Sequence, residues 1–304
     1  MSSWQGAILN LILSYVAKPS ISRGRKKLPI TEVRKRMLQL DQRWIPWPKD
    51  IISNEFELSH SRLLHYRLEK SNITTQNCLF YIRGGGFCFK TPNSHARFIR
   101  DVMKNCNLDA YIPDYRLAPE FPFPSPLEDV VEAYRKLIEL RPNAHIVLMG
   151  DSAGGNLATA LLLEIKRLQL PMPIASVLLS PALDLVLLGD VEKTLAADDP
   201  LFTIESLLRL RGAYLNGANP MQPKVSPLVG ELDLLPPIMV IAGVRELLLQ
   251  DAKQLEQKVK LAGGEIEALF YADMPHVFPL FDKLPEAKQA RQNIYRFIKA
   301  KLTN

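Results

Sequence analysis

Cysteine is scarce in this chain of 304 residues: there are three, Cys78, Cys88 and Cys106. An odd count without regular spacing excludes a disulfide framework and points to a reducing, cytoplasmic setting. In that setting the acceptor pattern Asn72-Ile73-Thr74 carries no glycan. Histidine is limited to five positions, none grouped with cysteine at ligand spacing, so no metal is expected. Long apolar runs are missing too. Residues Ala7 to Val16 are apolar but too short to span a bilayer, and no positive charge precedes them as in a signal peptide. They read as an amphipathic helix that packs on the domain. Internal repeats and low-complexity segments are absent. Without interleaved basic and aromatic residues or a reading motif, nucleic-acid recognition is excluded. The one run of three glycines lacks a following G-K-[ST], which excludes a phosphate-binding loop and leaves no cofactor implied.

What is present is apolar residues, 47% of the chain, enough for one large α/β domain with an appendage. The net charge is +6, and much of it sits early, at Lys18, Arg23, Arg25, Lys26, Lys27, Arg34, Lys35 and Arg36. This run reads as a solvated surface segment, with weak peripheral membrane contact as the alternative. Residues 1–45 look like two helices joined by that basic linker, a helical cap to which 185–220 contributes further. Residues 46–304 form the catalytic domain. From Leu63 onward, short apolar strands alternate with helices, which predicts a mainly parallel central sheet with helices on both faces. In such sheets a site forms at the carboxyl ends of the strands.

The chain is organised around Gly150-Asp151-Ser152-Ala153-Gly154. The apolar run Ile146–Met149 precedes it and a helical pattern from Leu157 follows. Strand, sharp turn and helix are the context in which G-x-S-x-G exposes a nucleophilic serine. Gly150 and Gly154 let two backbone segments pass closely, and Ser152 would sit at a helix N-terminus that favours negative charge. The N–H of Ala153 would point at a developing oxyanion.

A nucleophilic serine needs a base, and the base needs an orienting group. His145 lies at the wrong end of its strand, His60 and His65 belong to the early strand region, and His95 starts a helix. His276 follows the last strand and is late in the chain, as the serine-acid-histidine order requires. For the acid, Glu246 lies on the loop after the strand Ile238–Gly243. Asp251, further on and already helical, is the alternative, and Asp273 would face His276 only through an awkward turn. Gly84-Gly85-Gly86 ends a strand and offers backbone N–H groups that, with Ala153, make two or three oxyanion donors.

These stretches, together with Asp114–Glu120, Phe121–Pro124, Ser180-Pro181, Asp199-Pro200, Ser226–Leu228 and His276–Phe278, resemble the hormone-sensitive-lipase-like branch of the α/β-hydrolase-fold esterases. The resemblance runs from about residue 78 to the C-terminus; the first 45 residues match only in kind, as a helical cap. It implies a carboxylesterase with Ser152 as nucleophile, His276 as base, Glu246 as acid, and Gly84, Gly85 and Ala153 as oxyanion donors. A small-molecule ester is the implied partner; a monomer and a homodimer both remain open. Arg83, Phe87, Phe89 and Asp151 are assigned to the substrate pocket, with the phenylalanines narrowing the cleft toward short acyl chains. Arg83 departs from the family, which usually has histidine there to brace the glycine loop. That departure motivates one alternative, a binding protein on the same fold that has lost turnover.

Overall fold

The computed structural model describes residues 3–18, 28–69, 76–187 and 197–303. Arg23, Arg25, Lys26, Lys27, the tripeptide Asn72-Ile73-Thr74 and part of the 185–220 segment lie outside the described residues. Eight strands form one sheet in the order β1-β2-β4-β3-β5-β6-β7-β8. They are β1 (Ile51–Glu57), β2 (Arg62–Leu68), β3 (Asn77–Ile82), β4 (Asp109–Pro113), β5 (His145–Asp151), β6 (Ala175–Leu179), β7 (Ile238–Gly243) and β8 (Ile266–Tyr271). The pairs β1–β2 and β2–β4 are antiparallel and the other five are parallel. The helices are α1 (Trp4–Ile12), prolonged by a π-helical turn Leu13–Ala17, then α2 (Ile30–Trp44), α3 (Pro92–Cys106), α4 (Ser125–Leu140), α5 (Ala153–Leu168), α6 (Ile204–Leu215), α7 (Leu249–Leu261) and α8 (Pro285–Leu302).

Interior strands such as β7, Ile238–Gly243, are apolar and buried throughout because both faces of a parallel sheet are covered. Their alternation sorts the core into two layers. On β3, Cys78, Phe80 and Ile82 pack with residues of α4, α5 and α7, while Leu79 and Tyr81 pack with α3 and α8. Strand β1 escapes prediction because Ile51-Ile52-Ser53-Asn54-Glu55-Phe56-Glu57 is a half-solvated edge, exposed along most of its length.

The N-terminal helices lie against the strand ends that carry the site. On α2, Arg34 donates from Nε to Cys88 O and from Nη2 to Ala118 O, both at 2.6 Å, and pairs with Glu120. Asp41 accepts the Asn93 and Ser94 N–H groups at 2.8 and 3.0 Å, satisfying donors at the start of α3. Helix α1 is held by polar contacts: Ser3 to Glu286, Asn10 Nδ2 to Asp273 O at 2.7 Å, and Lys18 Nζ to Asp199 O at 2.6 Å. The helix packs on the domain as expected, with Leu13 buried and Leu9 against the core, but most of its apolar residues face outward. The face toward the protein carries Gly6, Asn10 and Leu13, while Trp4, Ile8, Leu11, Ile12 and Tyr15 are exposed.

Candidate active site

Strand β5 runs into α5 through Ser152, whose φ of 53° and ψ of −122° fall outside the regions open to ordinary side chains. A residue held there costs about 1–3 kcal/mol, tolerated where surroundings enforce it. Three backbone bonds enforce it: Ser152 N–H to Leu179 O at 2.8 Å, and Ser152 O accepting from Asn156 and Ala182 at 3.1 Å each. Close approach explains the flanking glycines. A Cβ on Gly150 would collide with Gly154 O, and one on Gly154 would strike Ile82 O and the backbone of Arg83.

Three side chains from three loops converge. His276 Nε2 is 2.9 Å from Ser152 Oγ, and His276 Nδ1 is 2.6 Å from Glu246 Oε2. Glu246 is buried; its Oε1 accepts the Gly243 N–H at 2.5 Å and the Ser180 hydroxyl at 2.9 Å. Ser180 in turn accepts the Val277 N–H at 3.0 Å, so one hydroxyl ties the acid to the histidine loop. Phe202 stands edge-on to the His276 ring, with centroids 5.2 Å apart. Burial opposes charging of His276, but the Glu246 hydrogen bond and charge outweigh it and raise its pKa above the ordinary imidazole value.

Asp251 does not take part. It sits in the first turn of α7, where Oδ2 accepts the Leu183 and Asp184 N–H groups at 2.6 and 3.0 Å. Burial pushes its pKa up to about 7 despite those two donors. Asp273 is exposed and offers its carbonyl to Asn10.

The glycine loop corrects two expectations. Gly84 N–H donates to Asp151 Oδ1 at 2.9 Å, so it points into the protein and is unavailable to an oxyanion. Gly85, at φ 117°, and Gly86 line the cavities beside Ser152 instead. Their N–H groups, and that of Ala153, have no partner among the described residues. Arg83 does not line the substrate space; it lies behind the loop. Its guanidinium reaches Phe89 O and Tyr115 O, both at 3.3 Å, pairs with Asp114 at 3.0 Å, and covers the Tyr115 ring. The arginine therefore cross-links the two ends of the loop and its charge is compensated.

Asp151 borders the larger cavity, but its carboxylate is committed, accepting from Tyr81 Oη at 2.7 Å as well as from Gly84. His95, dismissed from sequence as a helix start, stands behind it, with Nε2 3.2 Å from Asp151 Oδ1 and Nδ1 2.9 Å from Thr91 O. Nδ1 also lies 3.2 Å from the Thr91 hydroxyl, so the ring is held between Thr91 and the Asp151 carboxylate. Burial resists charging of the ring, and Asp151 overcomes the resistance, raising the His95 pKa. For Asp151 burial acts likewise against its charge, and His95, Tyr81 and Gly84 together hold its pKa below the usual range. No local signal marks His95, because its partner Asp151 lies 56 residues along the chain.

Two cavities meet at Ser152. The smaller, about 170 Å³, is lined by leucines of α6 and of the loop before α7, with Phe87 and Ala153. The larger, about 470 Å³, runs between Phe89, Val33 and Met37 of α2, and Phe281. Phe87 and Phe89 each form part of a cavity wall, and Phe87 is fixed by stacking on Tyr214 with centroids 3.7 Å apart.

The sequence profile of an α/β-hydrolase-fold family matches residues 79–280. The chain belongs to that family. An esterase of Acinetobacter venetianus is 34% identical over 232 residues, covering 75% of this chain and 76% of the relative. An acetyl-hydrolase of Streptomyces hygroscopicus is 36% identical over 214 residues, covering 70% and 72%. A crystal structure of a hormone-sensitive lipase from a metagenome library superimposes with a TM-score of 0.88 at 29% identity, covering 99% of both chains. That of EstE5 soaked with p-nitrophenyl butyrate does so with 0.88 at 30% identity, covering 100% of both. This family member therefore sits in the hormone-sensitive-lipase-like branch. Among its described residues no helix is long and apolar enough to cross a membrane.

Proposed function

We propose that this α/β hydrolase, an enzyme of ester bonds, cleaves short-chain carboxylic esters through Ser152, His276 and Glu246. The observation that carries this is the continuous chain of contacts from Ser152 Oγ through His276 to Glu246. Ser152 Oγ attacks the ester carbonyl while His276 Nε2 takes its proton. The tetrahedral oxyanion is held by the N–H groups of Gly85, Gly86 and Ala153. His276 passes the proton to the departing alcohol; water, deprotonated by the same nitrogen, then attacks the acyl-enzyme and releases the acid. Glu246 keeps Nδ1 protonated and supports the imidazolium. The relatives named an esterase and an acetyl-hydrolase favour oxygen esters over amides.

The smaller cavity takes the acyl chain and the larger one the alcohol. Residues 1–45 and helix α6 act as the cap, since both contribute walls to this space. The three cysteines, all buried and unpaired, support a cytoplasmic location. The test is a nitrophenyl-ester series run on the natural protein and on Arg83→His. Acetyl to about hexanoyl esters outrun long-chain esters in both, and the two differ by less than about tenfold, because the donors are backbone N–H groups and histidine at 83 can also brace the loop. Misaiming one donor costs about 10²-fold or more. No turnover by the natural protein with strong turnover by Arg83→His would favour the binding-protein reading.

The pH profile follows from the raised His276 pKa. The base works only when neutral, so activity on a neutral ester falls as pH drops through that pKa. The acid limb therefore lies above the unperturbed value of about 6.5. A rate that stays flat down to about pH 5 argues against a histidine base.

A further inference from the structure

Helix α1 is built inside out. Its outward residues Trp4, Ile8, Leu11, Ile12 and Tyr15 recur at helical spacing on one stripe. All five are exposed, Trp4 at 71% and Tyr15 at 77%. The inward residues Gly6, Leu9, Asn10 and Leu13 lie on the opposite side, where two leucines meet the domain and polar contacts at Ser3, Asn10 and Lys18 fasten the helix. A surface helix normally turns such a stripe toward the core, so this face is made for an apolar partner. Two observations say which one. The first carboxylate in the chain is Glu32; the residues before it carry Lys18, Arg23, Arg25, Lys26 and Lys27 and no negative charge. The stripe also has Trp4 and Tyr15 at its ends with aliphatic residues between, the amphipathic aromatics that settle at a lipid headgroup boundary. Five side chains are also too few for a stable protein interface, which uses about 20–30 residues a side.

We propose that α1 is an interfacial anchor whose stripe inserts into an anionic phospholipid surface, the basic composition of the N-terminal region adding electrostatic attraction. The placement has a consequence for the site. Asn10 holds Asp273 in the loop that leads to His276, and Lys18 holds Asp199, which accepts the Leu247 and Phe202 N–H groups beside the cavities. The anchor is thus fastened to the rim of the site, and esters dissolved in the lipid surface are brought to the mouth between α2 and Phe281. This goes beyond ester hydrolysis, since binding is read without turnover.

The test is co-sedimentation of the full chain with vesicles of phosphatidylcholine alone or with about one-third phosphatidylglycerol. The natural protein is expected to sediment with the anionic vesicles at least tenfold more than with the neutral ones, and less as salt rises. The double variant Ile8→Glu, Leu11→Glu loses that binding at least tenfold while its turnover of a soluble acetyl ester is unchanged, which shows an intact fold. Trp4 emission shifts to the blue with vesicles, and Trp4→Phe removes the shift. No vesicle binding by the natural protein, or equal binding by the double variant, overturns the proposal. Concentration-dependent self-association that the double variant abolishes, seen by light scattering without vesicles, overturns it in favour of a second copy. Failure of ester turnover with vesicle binding intact sinks the catalytic reading alone.

Discussion

Ser152→Ala is expected to abolish fluorophosphonate labelling and to lower short-ester turnover by about 10⁶-fold, as loss of the nucleophile does in serine hydrolases generally. The expectation rests on exclusivity of position. Ser152 Oγ lies at the carboxyl end of β5, 2.9 Å from His276 Nε2, and both cavities open onto it. Ser180, the other serine close by, has its hydroxyl committed between Glu246 and the Val277 N–H, so it cannot serve as a substitute. The backbone at position 152 is held by three main-chain bonds, which alanine keeps, so the variant should melt as cooperatively as the natural protein. Full labelling of a folded Ser152→Ala protein would remove the serine from the reaction.

Glu246→Gln is expected to cut turnover by about 10⁴-fold, the scale on which removing a triad carboxylate acts elsewhere. The carboxylate is buried, 2.6 Å from His276 Nδ1, where in the proposed mechanism it stabilises the imidazolium formed during attack. A glutamine offers no charge, and its amide N–H, turned toward the ring, holds the wrong tautomer. Asp251→Asn is expected to change turnover by less than about tenfold. Its oxygen only accepts the Leu183 and Asp184 N–H groups, and an amide oxygen does the same. The pH dependence of stability gives Asp251 a second signature. The Asp251 pKa is raised to about 7, so the stability it contributes is fully present below the unfolded value near 4 and is lost as pH rises through about 7. The asparagine variant does not titrate and should melt at a higher temperature than the natural protein at pH 8. A reversed ranking of the two variants in turnover would move the acid to Asp251.

Much of this arrangement is legible along the chain because its signals are local. Ile146–Met149 before Gly150 and the helical run after Gly154 define the strand, turn and helix around Ser152. The same logic places His276 and Glu246 after strands, and the structure puts both beside the serine. Choosing Glu246 over Asp251 also rested on local geometry: a loop residue can turn back, whereas one in the first helical turn is committed to the helix.

Other features depend on contacts between segments far apart in sequence, and local patterns do not carry them. Whether Gly84 or Gly86 faces the substrate depends on Asp151, 67 residues away, which captures the Gly84 N–H. Arg83 was unreadable for the same reason: its partners Tyr115 and Asp114 come from the segment after β4. His95 becomes meaningful only when the first turn of α3 is laid against the elbow, where a buried carboxylate makes its charge favourable.

By itself, the sequence determined the parallel sheet, the serine elbow, and the order of serine, acid and histidine, because hydrophobic period and turn chemistry act over a few residues. Only the tertiary structure decided which backbone donors are free, what Arg83 holds, and which way α1 faces. Those are outcomes of competition between distant groups for the same hydrogen bonds and the same buried surface, and for α1 the anchors at Asp199, Asp273 and Glu286 turned the apolar stripe outward.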